Sequence, residues 1–272
     1  MSPRTWPFLH VLAAMSLACG APPPSAPNTP VPSIAPPAPS PSPPPAQPSP
    51  ATPAPTPPAL APSPAAPAPP LLAIRERPIT YDDARIQRTI EYRQRHQDPA
   101  ASDTVIDPKV IILHHTGGGS LDGTWRYFNK TTVEKRRKVI ASAGDLNVSS
   151  HYLVGRDGEV VRLMPDTQMA RHCVGLNHLA IGVENVGEPK NFPLTDAQVD
   201  ADAALVRDLK TRYPGITHLI GHHEYLAFEK HPYFVERDPD YRTRKGDPGP
   251  AFMAKVRARV ADLGLEGPPA TP

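Results

Sequence analysis

The sequence predicts one α/β domain, layered from strands and helices, at the C-terminal end of a long Pro-rich leader. Three observations carry that reading. Pro makes up 40 of 272 residues, about three times the usual ~5% share, and 24 of the 40 fall between residues 21 and 70. Arg4 is the only Asp, Glu, Lys or Arg before Arg75. Beyond that point short apolar runs alternate with amphipathic patterns, the signature of layered α/β structure. Residues 75–272, about 198 of them, are therefore the foldable part, enough for one sizeable core without a second globular domain.

Along that part, Ile79, Ile86 and Ile90 follow Pro78 at helical spacings, which predicts a helix. Val110-Ile111-Ile112-Leu113 is a continuous apolar run and reads as a buried strand. It delivers His114-His115-Thr116 to a loop of three glycines, and a short helix is expected over residues 121–128. His151-Tyr152-Leu153-Val154 and Glu159-Val160-Val161-Arg162-Leu163 flank Arg156-Asp157-Gly158, a hairpin in which Asp-Gly supplies the positive φ of a tight turn. Residues 180–186 form another strand. Thr195-x-x-Gln198 is a capping box that opens a helix with Val199, Ala203, Val206 and Leu209 on one face. His218-Leu219-Ile220-Gly221 is a short strand aimed at His222-His223, and a last amphipathic helix spans residues 250–263. No repeat of fixed period interrupts this order.

The N-terminus carries Arg4, an apolar stretch from Trp6 to Ala18, then Cys19-Gly20. A basic start, a short apolar stretch and small residues before Cys19 describe a secretory signal over residues 1–18. The stretch is too short to cross a bilayer as a helix. Ser16-Leu17-Ala18-Cys19 is similar to a bacterial lipobox, with Leu one position late. The expectation is an exported lipoprotein of the cell envelope, periplasmic or outer-membrane, anchored through Cys19; free secretion is the alternative. Residues 19–74 are a Pro/Ala-rich linker favouring polyproline II. At ~3.1 Å per residue its residues 21–72 reach at most about 160 Å, a stalk or a passive spacer.

Charge and cysteine content exclude several classes. Without Arg4 the domain carries 28 Lys+Arg against 27 Asp+Glu, so it lacks the basic footprint of a nucleic-acid binder. Lys135-Arg136-Arg137-Lys138 is the one basic cluster, read as a solvated face or as a device that steers an anionic polymer. Cys19 and Cys173 are the only cysteines, so the mature domain has no internal disulfide.

Nine of the eleven histidines lie between residues 114 and 231. His114 and His222 each sit where an apolar strand ends, and a rigid scaffold presents ligands at such places. Zinc takes two imidazoles and a carboxylate and leaves a fourth position for water. Asp247, in Lys245-Gly246-Asp247-Pro248-Gly249-Pro250, is a candidate third ligand; core or surface packing is the alternative for the His-His pairs. The His-Glu-x-x-His zinc motif fails, because Ala227 stands where it needs its second His.

Five segments in order then resemble the zinc-dependent N-acetylmuramoyl-L-alanine amidases, a family that includes phage lysozyme-type amidases and peptidoglycan recognition proteins. They are Ile-Ile-Leu-His-His-Thr (111–116), Ser-His-Tyr-Leu-Val-Gly-Arg-Asp-Gly (150–158), Ala-Ile-Gly-Val-Glu-Asn (180–185), Gly-His-His-Glu (221–224) and Lys-Gly-Asp-Pro-Gly-Pro-Ala-Phe (245–252). The resemblance covers residues 107–262. It implies a central mixed β-sheet flanked by helices, a single catalytic domain, and one zinc ion held by His114, His222 and Asp247. It implies Glu184 as general base and Lys245 as oxyanion stabiliser, with His172 and Asn177 near the substrate cleft. The implied reaction is hydrolysis of the amide between N-acetylmuramic acid and L-alanine in peptidoglycan or muropeptides, with no nucleic-acid partner. A non-catalytic peptidoglycan-binding module of the same fold is the alternative, and a zinc-storing or zinc-sensing lipoprotein a third reading.

The implied roles are chemically coherent: a metal with two neutral ligands and one carboxylate lowers the pKa of its water toward ~7, and a nearby carboxylate takes the proton. Cys173 beside His172 is not expected to act as a nucleophile, since adjacent residues on a strand point opposite ways. Three departures from the family stand out. An insert of 24 residues separates His222 from Asp247, with Tyr225, Phe228, His231, Tyr233, Phe234 and Tyr241 forming either a groove wall or a self-packed loop. Residues 129–149 are long and polar. Ser150 stands where some relatives carry a Tyr near the metal, which leaves Glu184 as the better base.

Overall fold

The computed structural model describes residues 72–270; the expected signal segment, Cys19 and the linker up to residue 71 lie outside them. Its strands are β1 (Ile74–Glu76), β2 (Val110–His115), β3 (Tyr152–Val154), β4 (Val160–Arg162), β5 (Ala180–Asn185) and β6 (His218–Gly221). They form one mixed sheet in the order β1-β4-β3-β5-β2-β6. Every neighbouring pair is parallel except β3 and β4, the expected hairpin, where Gly158 takes φ 87°. Five helices flank the sheet: α1 (Asp83–His96), α2 (Leu121–Asn129), α3 (Lys138–Ser142), α4 (Asp196–Arg212) and α5 (Pro250–Arg259).

Strand parity divides the core. In β2, β5 and β6 the register pairs Val110 with both Ala180 and His218, and Ile112 with both Gly182 and Ile220. Side chains alternate across a sheet, so odd-numbered Ile111, Leu113, Ile181, Val183 and Leu219 share one face. There they pack with Val199, Ala203, Val206 and Leu209 of α4 and with Phe252, Met253 and Val256 of α5. The other face holds Val110, Ile112, Ala180 and Ile220 against Tyr92 of α1 and against Tyr225, Phe228 and Tyr241 of the insert. Val110 through Leu113 are all fully buried, each worth roughly 1.5–3 kcal/mol in transfer from water.

Three expectations change at this level. The isoleucine spacing locates α1, yet its buried stripe is Arg85, Thr89, Tyr92 and His96, while Ile79 is buried outside the helix beside Phe128 and Leu163. Arg85 turns inward because its guanidinium collects the carbonyls of Phe128, Asn129 and Lys130, at 2.9 to 3.1 Å. The last helix breaks at Val260 and continues as a 3-10 turn over Ala261–Leu263. His172 and Cys173 lie in an irregular turn instead of a strand, so strand alternation is not what separates them. Cys173 is 2% exposed, and burial pushes its thiol well above the usual range, which makes it inert as a nucleophile.

The insert is neither a free wall nor a self-packed loop alone. Tyr225 and Phe228 are fully buried in the main core, and Glu236 Oε1 lies 2.7 Å from His96 Nδ1 at the end of α1. The other ring nitrogen of His96 contacts the Ala143 carbonyl at 2.7 Å, so one imidazole ties α1 to the insert and to the segment after α3. No helix of the described residues is long and apolar enough to cross a membrane.

Between α4 and the sheet, Asp202 is fully buried and accepts one hydrogen bond, from Asn185 Nδ2 at 2.9 Å. Burial raises its carboxyl to about 8. The folded state therefore holds this proton more tightly than the unfolded chain, and the associated stability is complete below pH ~4 and lost as pH rises toward ~8. Asp202→Asn keeps an acceptor for Asn185 without an ionisable group. Denaturant titrations should show this variant more stable than the parent at pH 8, with a flatter profile between pH 4 and 8. The parent's slope should approach about 1.4 kcal/mol per pH unit there; identical profiles would show that Asp202 does not control it.

Candidate active site

The parity that builds the core also builds the site. Even-numbered His114, the last but one residue of β2, lies on the same face as Val110 and Ile112, and its register partner on β5 is Glu184. Leu113 pairs with Gly221, the last residue of β6, so His222 begins one step beyond, in a 3-10 turn. Ligands in parallel sheets gather at the carboxyl ends of strands, and three adjacent strands end together here. The His222 turn is held by Glu224, which accepts from Gly221 N at 2.8 Å and pairs with Arg257 at 2.5 Å. Asp247 arrives from the far end of the insert, where its carbonyl accepts from His223 N at 2.8 Å.

His114, His222 and Asp247 converge as a potential metal-binding trio. His114 Nδ1 and His222 Nδ1 are 2.9 Å apart, and Asp247 Oδ2 lies 3.0 Å from His222 Nδ1 and 3.4 Å from His114 Nδ1. A tetrahedral ion with ~2.0–2.1 Å bonds needs ligand atoms about 3.3 Å apart, so this triangle has the size for such an ion. Burial pushes the Asp247 carboxyl up, but the neighbouring His114 and His222 imidazoles outweigh it and hold the group far below the carboxylate range. His222 is lowered to about 3, first by burial and then by His114. Two neutral imidazoles and one ionised carboxylate are the protonation states that metal binding requires.

The trio lies in a cavity of about 420 Å³ that also exposes Glu184, Lys245 and His172. Burial drives the Glu184 carboxyl up to about 7; Asp247 adds to the rise, and His114, Lys245 and Arg137 oppose it. One cavity wall is residues 129–149, through Arg137, Ile140 and Val148; another is the end of the insert, through Tyr241 and Thr243. Arg171 binds these walls together. It donates to the carbonyls of Ile140, Gly144 and Leu146 at 2.5 to 3.0 Å and to Tyr241 Oη at 3.1 Å. Ser150 is fully buried and bonds the Tyr152 carbonyl, away from the cavity lining.

His172 and Asn177 are brought together and both line the cavity, where their hydrogen bonds also brace the framework. Asn177 is 1% exposed, and its Oδ1 accepts from His172 N and Cys173 N at 2.8 and 2.7 Å. His172 lines the cavity, yet its Nε2 contacts the Ala180 carbonyl at 3.2 Å and its Nδ1 faces His114 Nε2 at 3.0 Å. Burial and the neighbouring imidazoles of His114 and His151 push it well below the usual histidine range. Sequence reasoning passed over Arg137, Arg171 and Gly182. The basic run contained the first, and an isolated Gly inside a strand signals close approach to another group. Nothing local marks Arg171, whose partners come from three separate segments.

Residues 104–250 match the family model described as N-acetylmuramoyl-L-alanine amidase. The chain is 31% identical over 167 residues to the 1,6-anhydro-N-acetylmuramyl-L-alanine amidase AmpD of Citrobacter freundii, covering 57% of this chain and 81% of that one. Against AmpD of Escherichia coli K12 the identity is 31% over 167 residues, covering 57% and 83%. A crystal structure of a selenomethionine AmpD derivative is similar with a TM-score of 0.44 and 26% identity, over 69% of this chain and 94% of that one. The chain belongs to the N-acetylmuramoyl-L-alanine amidase family, enzymes that hydrolyse the amide bond between N-acetylmuramic acid and L-alanine.

Proposed function

We propose that this chain cuts that amide in peptidoglycan or muropeptides with a water activated at one zinc ion held by His114, His222 and Asp247. The observation that carries the reading is the convergence of these three side chains, sized for a tetrahedral ion, beside Glu184 in one cavity. A zinc ion bound there would supply Lewis acidity and lower the pKa of a water toward ~7. Glu184 accepts a proton from the attacking water as its oxygen bonds to the lactyl carbonyl carbon. The Lys245 ammonium balances the charge that develops on the carbonyl oxygen. Glu184 then returns the proton to the alanine nitrogen as the C–N bond breaks, so no covalent enzyme intermediate is needed. Tyr241, Thr243 and Arg137 bound the space in which the stem peptide lies.

The proposal extends to location. The signal-like residues 1–18 and the Pro-rich stretch after them support export to the cell envelope, where the substrate is, with Cys19 as a lipid anchor. A Cys19→Ser variant should move from the membrane fraction to the soluble one while its rate on soluble muropeptides stays unchanged. Retention in the membrane fraction would remove the anchor from the reading.

The test of the reaction is a digest of purified sacculi and of soluble muropeptides, with and without a chelator, followed by mass spectrometry. Free stem peptides with new L-alanine amino termini should appear only with metal present; binding without cleavage would leave a recognition module. His114→Ala should lose bound zinc and turnover together, and full activity in that variant would remove His114 as a ligand. Glu184→Gln should keep zinc but lose about 10²–10⁴ in rate, the usual worth of a positioned acid–base group. A near-normal rate would move the base elsewhere.

A further inference from the structure

His114 can serve as a ligand through Nδ1 only if that nitrogen carries a lone pair and the ring's proton sits on Nε2. We infer that His172 is a positioning residue that enforces this tautomer, and so aims the lone pair of His114 into the metal site. The inference rests on the zinc reading above and assigns His172 a role other than contact with substrate.

The hydrogen-bond polarity can be followed atom by atom. The Ala180 carbonyl only accepts, so its 3.2 Å contact places the His172 proton on Nε2. His172 Nδ1 is then an acceptor, 3.0 Å from His114 Nε2, which must carry the proton between them. His114 Nδ1 is left with its lone pair facing His222 Nδ1 at 2.9 Å and Asp247 Oδ2 at 3.4 Å. Without an acceptor at His172, the Asp247 carboxylate would draw the proton of His114 to Nδ1, where it blocks the metal. Partners of this kind fix the orientation and tautomer of a metal-bound imidazole. With both nitrogens committed inside the protein, His172 has no polar group left for substrate.

The surroundings hold the ring in place. Asn177 Oδ1 anchors the backbone N–H of His172 at 2.8 Å. Gly182 lies on β5 between Ala180 and Glu184, on the face that looks toward the site. A Cβ at Gly182 would stand 2.8 Å from His172 Cγ, so glycine is what admits the imidazole. Beyond it, His151 Nδ1 accepts from Gly182 N at 3.0 Å and His151 Nε2 contacts the Gln168 carbonyl at 2.9 Å. That ring is fully occupied as well and does not compete for His172. Asn177, Gly182 and His172 thus form one support behind His114.

The test measures the tautomer directly. Long-range 15N–1H spectra of the metal-free full chain should show His114 protonated at Nε2, and a wild-type spectrum with the proton on Nδ1 overturns the inference without any variant. His172→Leu should shift the proton toward Nδ1 and weaken zinc binding about 10–100-fold, the range for loss of an outer partner, read by chelator competition. His172→Gln, whose side-chain oxygen can accept from His114, should recover most of the affinity. Equal zinc affinity in wild type and a folded Leu variant overturns the inference, as does equal weakening in the Gln and Leu variants. If the wild type binds no zinc, the zinc reading fails, while the tautomer spectrum still decides the role of His172.

Discussion

Everything at the site depends on the in-register parallel pairing of β2 with β5 on one side and β6 on the other. Because Val110 pairs with both Ala180 and His218, even-numbered residues of three strands share one face. Their carboxyl ends coincide, and the apolar residues below are fully buried. A slip of one residue in any of the three would turn His114, Glu184 or His222 into the α4 and α5 core. The same burial that stabilises the sheet therefore fixes the lateral spacing of the chemistry.

That spacing sets up a charge arrangement that a metal-free protein would not otherwise favour. The His222 imidazole, lowered to about 3 by burial, and the His114 ring face one carboxylate that the pair keeps ionised. Glu184 sits beside them with its carboxyl raised by burial and by Asp247. A cation in the trio would relieve the crowding of acceptor atoms and oppose the rise at Glu184, so binding and base strength are linked through one short network. His172 lies at its inner end and connects it to the backbone of β5.

The walls of the cavity are held by different means. Residues 129–149 and the insert contribute few regular elements, and Arg171 compensates by drawing three carbonyls and Tyr241 Oη onto one guanidinium. His96 performs a similar service between α1, Ala143 and Glu236. Such polar staples give irregular chain a defined shape where apolar area alone is too small, and replacing one partner leaves buried groups without hydrogen bonds.

The sequence by itself determined the strand at 110–113, the strand beginning at Ala180, the hairpin, and the capped helix after Thr195. It also picked out His114 and His222, which follow apolar strand runs, and Asp247 on its Gly/Pro-held loop, three side chains that the fold brings together. It misjudged α1, whose inward stripe is Arg85, Thr89, Tyr92 and His96, because the carbonyls that draw Arg85 inward lie more than forty residues away. The resemblance put His172 and Asn177 near the cleft, and both line the cavity. Only the tertiary structure shows that the nitrogens of His172 are used by Ala180 and His114. A hydrogen bond's direction depends on what stands opposite, and that partner comes from another strand. Local periodicity records which residues are present and which face they occupy; the protonation, tautomer and aim of a buried imidazole follow from neighbours that folding alone brings near.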